Sequence, residues 1–416
     1  MSTYEARVAR VTAAAAGKEP DRVPIMPLAS TFAIGHYGSS MAEVTYNTQK
    51  GVDTSIQFCE DFQPDAATGF YTNIGKGPIF ELIKPKACVW PGAPDKRVTD
   101  DSYHQFLEFA VLTEDEMDWF ERDYTGWLLQ RGLPKVAAIM EPFENWNMGM
   151  LGVNYDISQI AAQFSRPEMR EVIKTFWQID DMNREIAKIS AAGRAKLEAM
   201  GFPNFAGQPG GGVPFDSYSD FIRGTLDSMV DMYNNRKLIE RYSDWRLELM
   251  LENIRAAGRA GPDPNKWASF ILHKGMDGFM DDEQYANLYW KYLQRLIEEC
   301  IAVGFQMVYV YTEGPYTSRL DHLAEVTPGK VIYHFEEVDL ELAKRKLGNV
   351  ACIAGGYSVY HLHYGTRKQV VDEVKRTLDI CAPGGGYIFE TGSAFGKSPV
   401  ENVEAMYETV KSYGKY

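Results

Sequence analysis

Two side chains that can carry a proton or bind a metal follow neighbouring apolar runs within Phe305–His334. Glu313 comes just after the run Phe305–Tyr311, and His334 ends the run Lys330–His334. Both runs are typical of buried strands, and the ends of adjacent parallel strands lie close together on one face of a sheet. We therefore expect Glu313 and His334 to lie side by side there, as an acid–base or metal-binding pair.

Other polar side chains also follow apolar runs. Tyr311 can hydrogen-bond a phenolic oxygen, so we group it with Glu313 and His334 as catalytic candidates. His273 or Glu390 is, on position alone, a third ligand for a metal held by Glu313 and His334. For the loop after Trp267–Leu272, a purely structural role is the alternative. The substrate-binding candidates all share a position after a strand: His273, Lys274, Asp277, His36 and Glu390.

The elements that must position these residues alternate between strand and helix in the C-terminal half, which predicts a parallel α/β sheet. Five β/α units there, with the earlier apolar runs Arg22–Leu28, Asp53–Cys59 and Lys135–Met140, give eight strands. This number favours a single (β/α)8 TIM barrel over an open doubly wound sheet. Thr3–Gly17 predicts an N-terminal helical extension of the barrel.

Two irregular stretches interrupt this pattern. Residues 66–111 are rich in Gly, Pro and aromatic residues, and we interpret them as an insertion that builds a wall or lid of the site. The rest of residues 1–416 is interpreted as one barrel domain. Gly201–Pro214 is a loop by composition, more typical of a connector than of a lid.

Composition excludes several classes of function. The net charge is −14 and no basic cluster occurs, so a nucleic-acid partner is not expected. No apolar run approaches the roughly 20 residues that a membrane span needs. The five cysteines form no CxxC pair, which favours a reducing, cytoplasmic setting. There is no GxGxxG or P-loop for a nucleotide. A homodimer stays open.

Four stretches resemble the uroporphyrinogen decarboxylase superfamily, and most of all its corrinoid-dependent methyltransferase branch. The N-terminal half fits more loosely, through RVPIMP and LTEDEMDWFERD. The resemblance implies a barrel enzyme with its site at the carboxyl ends of the strands. The matching stretches are Phe270–Tyr285, Tyr311–Leu323, Val331–Thr366 and Gly384–Gly414.

Departures from the family pattern narrow the activity. Decarboxylases of this superfamily carry an arginine motif after the first strand, but Met26–Gly35 contains no arginine. A substrate with several carboxylates would lack its counter-charges, so porphyrinogen decarboxylation is disfavoured. The thiol-methylating branch holds zinc through a His-x-Cys pair and a distant Cys, and here Tyr311, Glu313 and Ser393 stand in those places. Thiol methylation is disfavoured as well.

What remains resembles the aryl-ether O-demethylases, which move the methyl group of a methoxylated aromatic to cobalt(I) of a separate corrinoid protein. The chain has no DxHxxG corrinoid-binding motif, so the cobalamin must arrive on that partner. The alternatives are a decarboxylase or lyase of the uroporphyrinogen decarboxylase type, and a corrinoid methyltransferase with another methyl donor or acceptor. A non-catalytic partner of a corrinoid protein is a third.

Some members of this branch are described with a zinc motif whose spacing matches Glu298, Glu313 and His334. Glu298 lies near the end of the predicted helix Asp281–Ala302, at the bottom of the barrel. Glu313 follows a strand of about seven residues that rises about 3.3 Å per residue, so the two carboxylates should be roughly 20 Å apart. We therefore expect Glu313 and His334, without Glu298, either to hold zinc as a Lewis acid or to act as acids without metal.

Overall fold

The structure, a computed structural model, describes residues 3–146, 157–263 and 265–416. Its main sheet has six parallel strands that follow one another in chain order, β3 to β8. A separate antiparallel pair is formed by β1 and β2. The strands are β1 Cys88–Val89, β2 Gln105–Phe106, β3 Ala206–Gly211, β4 Trp267–Leu272, β5 Val308–Pro315, β6 Val331–Glu337, β7 Cys352–Gly355 and β8 Tyr387–Ile388.

Two irregular N-terminal segments close this curled sheet into a ring. Residues 24–26 pair with Phe389 next to β8, through hydrogen bonds of 3.0 and 2.9 Å. The amide of Asp65 then donates to Ile25, and the amide of Ala67 donates to Pro203 just before β3. The ring therefore has eight members, which confirms the predicted (β/α)8 barrel.

Two of the eight predicted strands were assigned to the wrong segments. Asp53–Cys59 lies inside a helix, Thr48–Phe62, which the side chain of Asn47 caps by accepting from Lys50 N at 3.0 Å. Its buried residues recur every three to four positions, so the short apolar run concealed a helical period. Lys135–Met140 is also helical in the structure.

One strand of the ring, β3, was not predicted. It lies within Gly201–Pro214, the stretch predicted to be a loop, and its sequence is AGQPGG. A Cβ atom at Gly207 would lie 2.8 Å from Cβ of Lys266 and 3.0 Å from the carbonyl oxygen of Trp267. Glycine thus permits β3 to approach β4 closely, and it also removes the alternation of side chains by which strands are recognised.

Helices surround the ring and connect its members. Short 3-10 and π segments occur between several of them, including the π segments Ser219–Arg223 and Tyr285–Trp290. The α-helices are α1 Thr3–Ala15, α2 Ser30–His36, α3 Met41–Tyr46, α4 Thr48–Phe62, α5 Gly77–Ile83, α6 Met117–Arg122, α7 Tyr124–Trp127, α8 Leu133–Val136, α9 Gln159–Phe164, α10 Pro167–Ala199, α11 Pro214–Tyr218, α12 Thr225–Asn234, α13 Arg236–Ala260, α14 Asp282–Gln284, α15 Lys291–Ala302, α16 Leu320–Leu323, α17 Leu340–Leu347, α18 Val359–Tyr364, α19 Arg367–Cys381 and α20 Val400–Tyr413.

The N-terminal helix α1 closes the bottom of the barrel. Its buried residues Val11, Ala14 and Ala15 pack in one apolar cluster with side chains from the beginnings of the strands, among them Trp267 and Ile332. These strand residues point into the ring. The predicted helical extension is therefore the floor on which the barrel interior rests.

The stretch 66–111 contains α5, β1 and β2 and reaches the top of the barrel. Glu108 accepts hydrogen bonds from the Thr225 hydroxyl and lies 3.7 Å from Nζ of Lys274, which follows β4. The role of the stretch 66–111 as a wall or lid of the site stays a prediction.

Within the described ranges, no helix is both long and apolar enough to cross a membrane. All five cysteines lie in those ranges, and each is a free thiol.

A buried carboxylate ties α1 to the ring. Asp65 is fully buried, and it accepts from Arg10 at 2.6 Å, from Arg22 at 2.7 Å and from the amide of Ile25 at 2.8 Å. Two cations and a strand amide therefore depend on one side chain at the point where the ring closes.

Removal of this carboxylate by Asp65→Ala should lower the free energy of unfolding by about 3 kcal/mol, because it leaves the half-buried Arg22 without a carboxylate partner and Arg10 with Asp21 alone. The measurement is the midpoint of chemical denaturation. The control is Asp21→Ala, which removes a largely exposed partner of Arg10 and should cost about 1 kcal/mol or less. Equal losses in the two variants would contradict the proposed role of Asp65.

Candidate active site

Alternation along the strands decides which side chains enter the barrel. Trp267, Ser269 and Ile271 of β4 face inward, as do Tyr309 and Tyr311 of β5. In the register of β5 against β6, Tyr311 lies opposite His334. The inward side chains therefore form successive layers from the floor at α1 to the mouth at the carboxyl ends of the strands.

A cavity of about 260 Å³ lies in the upper layers. Ile271 is inward-facing yet 46% exposed, so the cavity opens toward the mouth. Four aromatic rings and one carboxylate stand out in its lining, and among the described residues around it none is Lys, Arg or His. The lining residues are Met26, Pro27, Leu28, Ala66, Ala67, Gly69, Asn204, Phe205, Ala206, Trp267, Ser269, Ile271, Tyr309, Tyr311 and Glu390.

The carboxylate at this cavity belongs to a buried hydrogen-bonded group. Nδ1 of His334 lies 2.5 Å from Oε2 of Glu390, and Nε2 lies 2.9 Å from the carbonyl oxygen of Gly392. The hydroxyl of Tyr309 donates to the same Oε2 at 2.7 Å. The ring of Tyr311 stacks on the His334 ring at 4.2 Å and 7°. His334 and Glu390 are at most 1% exposed.

Gly355 at the end of β7 provides the space for the His334 ring. A Cβ atom there would lie 2.8 Å from Cε1 of His334, and the backbone has φ +75°, which side chains rarely adopt. The position of the imidazole therefore depends on glycine at this position.

The expectation that Glu313 lies beside His334 was wrong. Because Tyr311 is opposite His334, Glu313 lies two residues farther along β5, roughly 6.6 Å toward the mouth. Glu313 is exposed there. Partial burial of its carboxyl group raises the pKa of Glu313, and so do the negative charges of Glu336 and Asp220, whereas the positive charge of His273 lowers it. The structure instead pairs His334 with Glu390.

A second polar group surrounds the mouth. Nδ1 of His273 lies 2.5 Å from Oδ2 of Asp220, and Nζ of Lys274 lies 3.2 Å from its Oδ1. Lys274 also donates to the Thr225 hydroxyl at 2.9 Å. The hydrogen bond to Asp220 raises the pKa of His273 to about 9, so its imidazole is cationic near neutrality. Both cations of the mouth thus already have anionic partners.

Asp216 supports this loop from below. Its buried carboxylate accepts from the amide of His273 at 3.2 Å, from the amide of Lys274 at 2.9 Å and from the Tyr289 hydroxyl at 2.9 Å. Burial raises the pKa of Asp216 to about 6. Asp216 and Asp220 were not among the sequence candidates, because they lie in helical segments and do not follow a strand directly. Their spacing of four, directly after a glycine-rich segment, was the available signal.

The remaining candidates lie outside these groups. Asp277 accepts a hydrogen bond from the Ser318 hydroxyl at 2.7 Å. This contact agrees with the alternative of a purely structural role for the loop after β4. His36 is exposed at the end of α2 and stacks on Phe32. Glu298 accepts from Thr327 before β6, at the opposite end of the barrel from Glu313.

The arrangement does not fit a metal ion at Glu313 and His334. Both ring nitrogens of His334 are engaged in hydrogen bonds, so no lone pair is left for a ligand bond. Glu313 lies one layer higher. In the described part of the chain, no group of three or more His, Cys, Asp and Glu side chains is arranged to hold a metal.

The family model described as Uroporphyrinogen decarboxylase (URO-D) matches residues 168–413, more than half of the chain. The chain belongs to the uroporphyrinogen decarboxylase family. The fold of this family member is similar to that of a methyltransferase from Methanosarcina mazei, with a TM-score of 0.59, 15% identity and 98% of each chain covered. No curated protein sequence matches it. The expected superfamily is confirmed.

The raised pKa of His273 predicts a pH-dependent contribution to stability in this family member. The folded state holds the imidazole proton more tightly than the unfolded chain, whose pKa is about 6.5. The stabilisation is therefore complete below about pH 6.5 and is lost as the pH rises through about 9.

The measurement is an NMR titration of the His273 ring, which should show an apparent pKa near 9 that falls in Asp220→Asn. The difference in unfolding free energy between wild type and Asp220→Asn should be largest below pH 6.5. A wild-type titration near pH 6.5 would show that the hydrogen bond does not form.

Proposed function

We propose that the protein transfers the methyl group of a methoxylated aromatic to a reduced corrinoid carried by a separate protein. The observation that carries this proposal is the cavity, which places four aromatic rings and one buried carboxyl group, that of Glu390, inside the barrel. Flat aromatic ligands bind well between such rings through offset and edge contacts. The reduced corrinoid would supply the nucleophile, and the chain's own residues would bind and orient the ether.

The lining of the cavity argues against the decarboxylase alternative. The segment Met26–Leu28, which stands where decarboxylases carry their arginine motif, contributes only apolar contacts. His273 and Lys274, the cations of the loop after β4, both pair with Asp220, and Glu108 lies 3.7 Å from Nζ of Lys274. A substrate with many carboxylates would therefore be desolvated without partners, which is costly.

A quaternary ammonium donor is the second candidate, because aromatic rings with a nearby carboxylate bind such cations. The pairing of Glu390 with His334 weakens this candidate, since the two groups together carry no net negative charge if they share one proton. A neutral aromatic ether fits this balance better.

Methyl transfer should require three components: this protein, a methoxyarene, and a reduced corrinoid protein. The expected result is formation of the phenol with stoichiometric methylation of the partner, followed by chromatography and by the corrinoid absorption spectrum. Quaternary ammonium compounds and uroporphyrinogen serve as competing substrates. Phenol formation by the purified protein alone would refute the requirement for a partner, and carbon dioxide release from uroporphyrinogen would favour the decarboxylase.

Narrowing the cavity should weaken binding of the aromatic substrate without unfolding the barrel. Gly69 lines the cavity, and a Cβ atom there meets nothing within 4 Å. We expect Gly69→Leu to raise KM for methoxyarenes by about tenfold or more, a typical effect of altered pocket volume. The control is Gly35→Leu, which also meets open space but lies in α2 outside the cavity. An unchanged KM in Gly69→Leu would place the substrate elsewhere.

A further inference from the structure

The pair of His334 and Glu390 at the cavity holds one exchangeable proton, as the hydrogen bonds of His334 indicate. The carbonyl oxygen of Gly392 can only accept, so Nε2 of His334 carries a hydrogen. Nδ1 lies 2.5 Å from a carboxylate oxygen of Glu390, and two bare acceptors at this distance would repel each other. A second proton must therefore lie between Nδ1 and Oε2. The buried pair is neutral as a whole and holds a proton that either partner can carry.

Glu390 is the member of the pair that faces the cavity. Glu390 lines the cavity, whereas His334 lies behind it, beneath the stacked ring of Tyr311. Tyr309 also lines the cavity, and its hydroxyl holds Oε2 at 2.7 Å. The burial of Glu390 and His334 limits exchange of the proton with bulk water.

We propose that Glu390, which shares one proton with His334, is a metal-independent acid that protonates the leaving oxygen of the substrate, with Tyr309 as a positioning residue. This rests on the proposed function and deepens it. It also assigns to His334 a role other than the zinc ligand that the sequence spacing suggested.

The step balances in atoms and charge. The bond between the methyl carbon and the ether oxygen breaks, and the methyl group passes to the reduced corrinoid of the partner, which provides the electron pair. The oxygen keeps the electrons of the broken bond and takes the proton from Glu390. This leaves Glu390 as a carboxylate beside an imidazole that is protonated only at Nε2, and the pair takes up one proton from solvent between turnovers.

Protonation matters because phenolate is a poor leaving group. A general acid contributes about 10²–10⁴-fold to rate, and its contribution falls as the leaving group becomes a weaker base. The dependence of kcat on the acidity of the departing phenol therefore reports on this acid. A merely structural role would lower the rate by the same factor for every ether.

The experiment measures kcat for a series of aryl methyl ethers, from electron-rich to nitro-substituted rings, with the complete protein and its reduced corrinoid partner. Wild type should show a shallow dependence on leaving-group acidity. Glu390→Gln should lose about 10²–10⁴-fold with electron-rich ethers and only a few-fold with nitro-substituted ones. Tyr309→Phe, which keeps the ring and removes the hydroxyl, should lie between the two and covers the case that Glu390→Gln does not fold.

The matched control is Glu298→Gln, the same chemical change at the opposite end of the barrel. It should behave as wild type, and treatment with a chelator should leave wild-type activity unchanged. A uniform loss across the series in Glu390→Gln would overturn the proposal, and so would loss of activity on chelation that zinc restores.

A second readout does not depend on turnover. In protein with ¹⁵N-labelled histidine, one downfield proton resonance coupled to Nδ1 of His334 should be present, and it should disappear in Glu390→Gln. Its absence from wild type would overturn the proposal even if methyl transfer occurs. Presence of the resonance without transfer from any ether would instead refute the proposed function while leaving the proton-holding pair in place.

Discussion

Burial of an imidazole and a carboxylate inside the barrel is the constraint on which the rest of the site depends. An unpaired charge or polar atom at this depth would cost several kcal/mol, so each one needs a partner. His334 and Glu390 bond to each other, the carbonyl oxygen of Gly392 accepts from Nε2 of His334, and the Tyr309 hydroxyl donates to Oε2 of Glu390. The same imidazole shapes the cavity wall. The ring of Tyr311 stacks on it, and only glycine at position 355 leaves room for it.

The mouth of the barrel and the cavity beneath it differ in electrostatic character. At the mouth, Asp220 pairs with His273 and Lys274, and partial burial, together with the nearby acids Glu336 and Asp220, raises the pKa of Glu313. At the cavity, the pair of His334 and Glu390 is neutral and lies against the aromatic rings of Tyr309 and Tyr311. The mouth therefore offers charged groups to whatever docks there, whereas the cavity offers an uncharged ligand a setting of low dielectric, in which hydrogen bonds are stronger than in water.

Sequence patterns were sufficient for the barrel but not for every strand in it. The alternation of strand and helix from β4 onward carries a strong signal, and it was predicted. β3 carries almost none, because its glycines remove the side chains that would alternate. α4 was mistaken for a strand because a seven-residue window was too short to separate the two periods.

The candidate site shows the same limit at the level of single residues. Position near a strand end singled out His334, Tyr311 and Glu390, and the structure brings these three side chains together. The pairing of His334 could not be predicted, because it depends on the register between β5 and β6 and on the proximity of the last strand. Asp216 and Asp220 act through tertiary contacts with the loop after β4, which no local pattern reveals.

The helix α1 beneath the barrel has a kinetic consequence. Since α1 fills the floor, the described chain leaves the cavity open at the mouth. If the proposed partner docks over that mouth, it covers the same opening through which a ligand must pass. Turnover would then follow a compulsory order, in which the aromatic enters before the partner docks and the phenol departs after the partner has left.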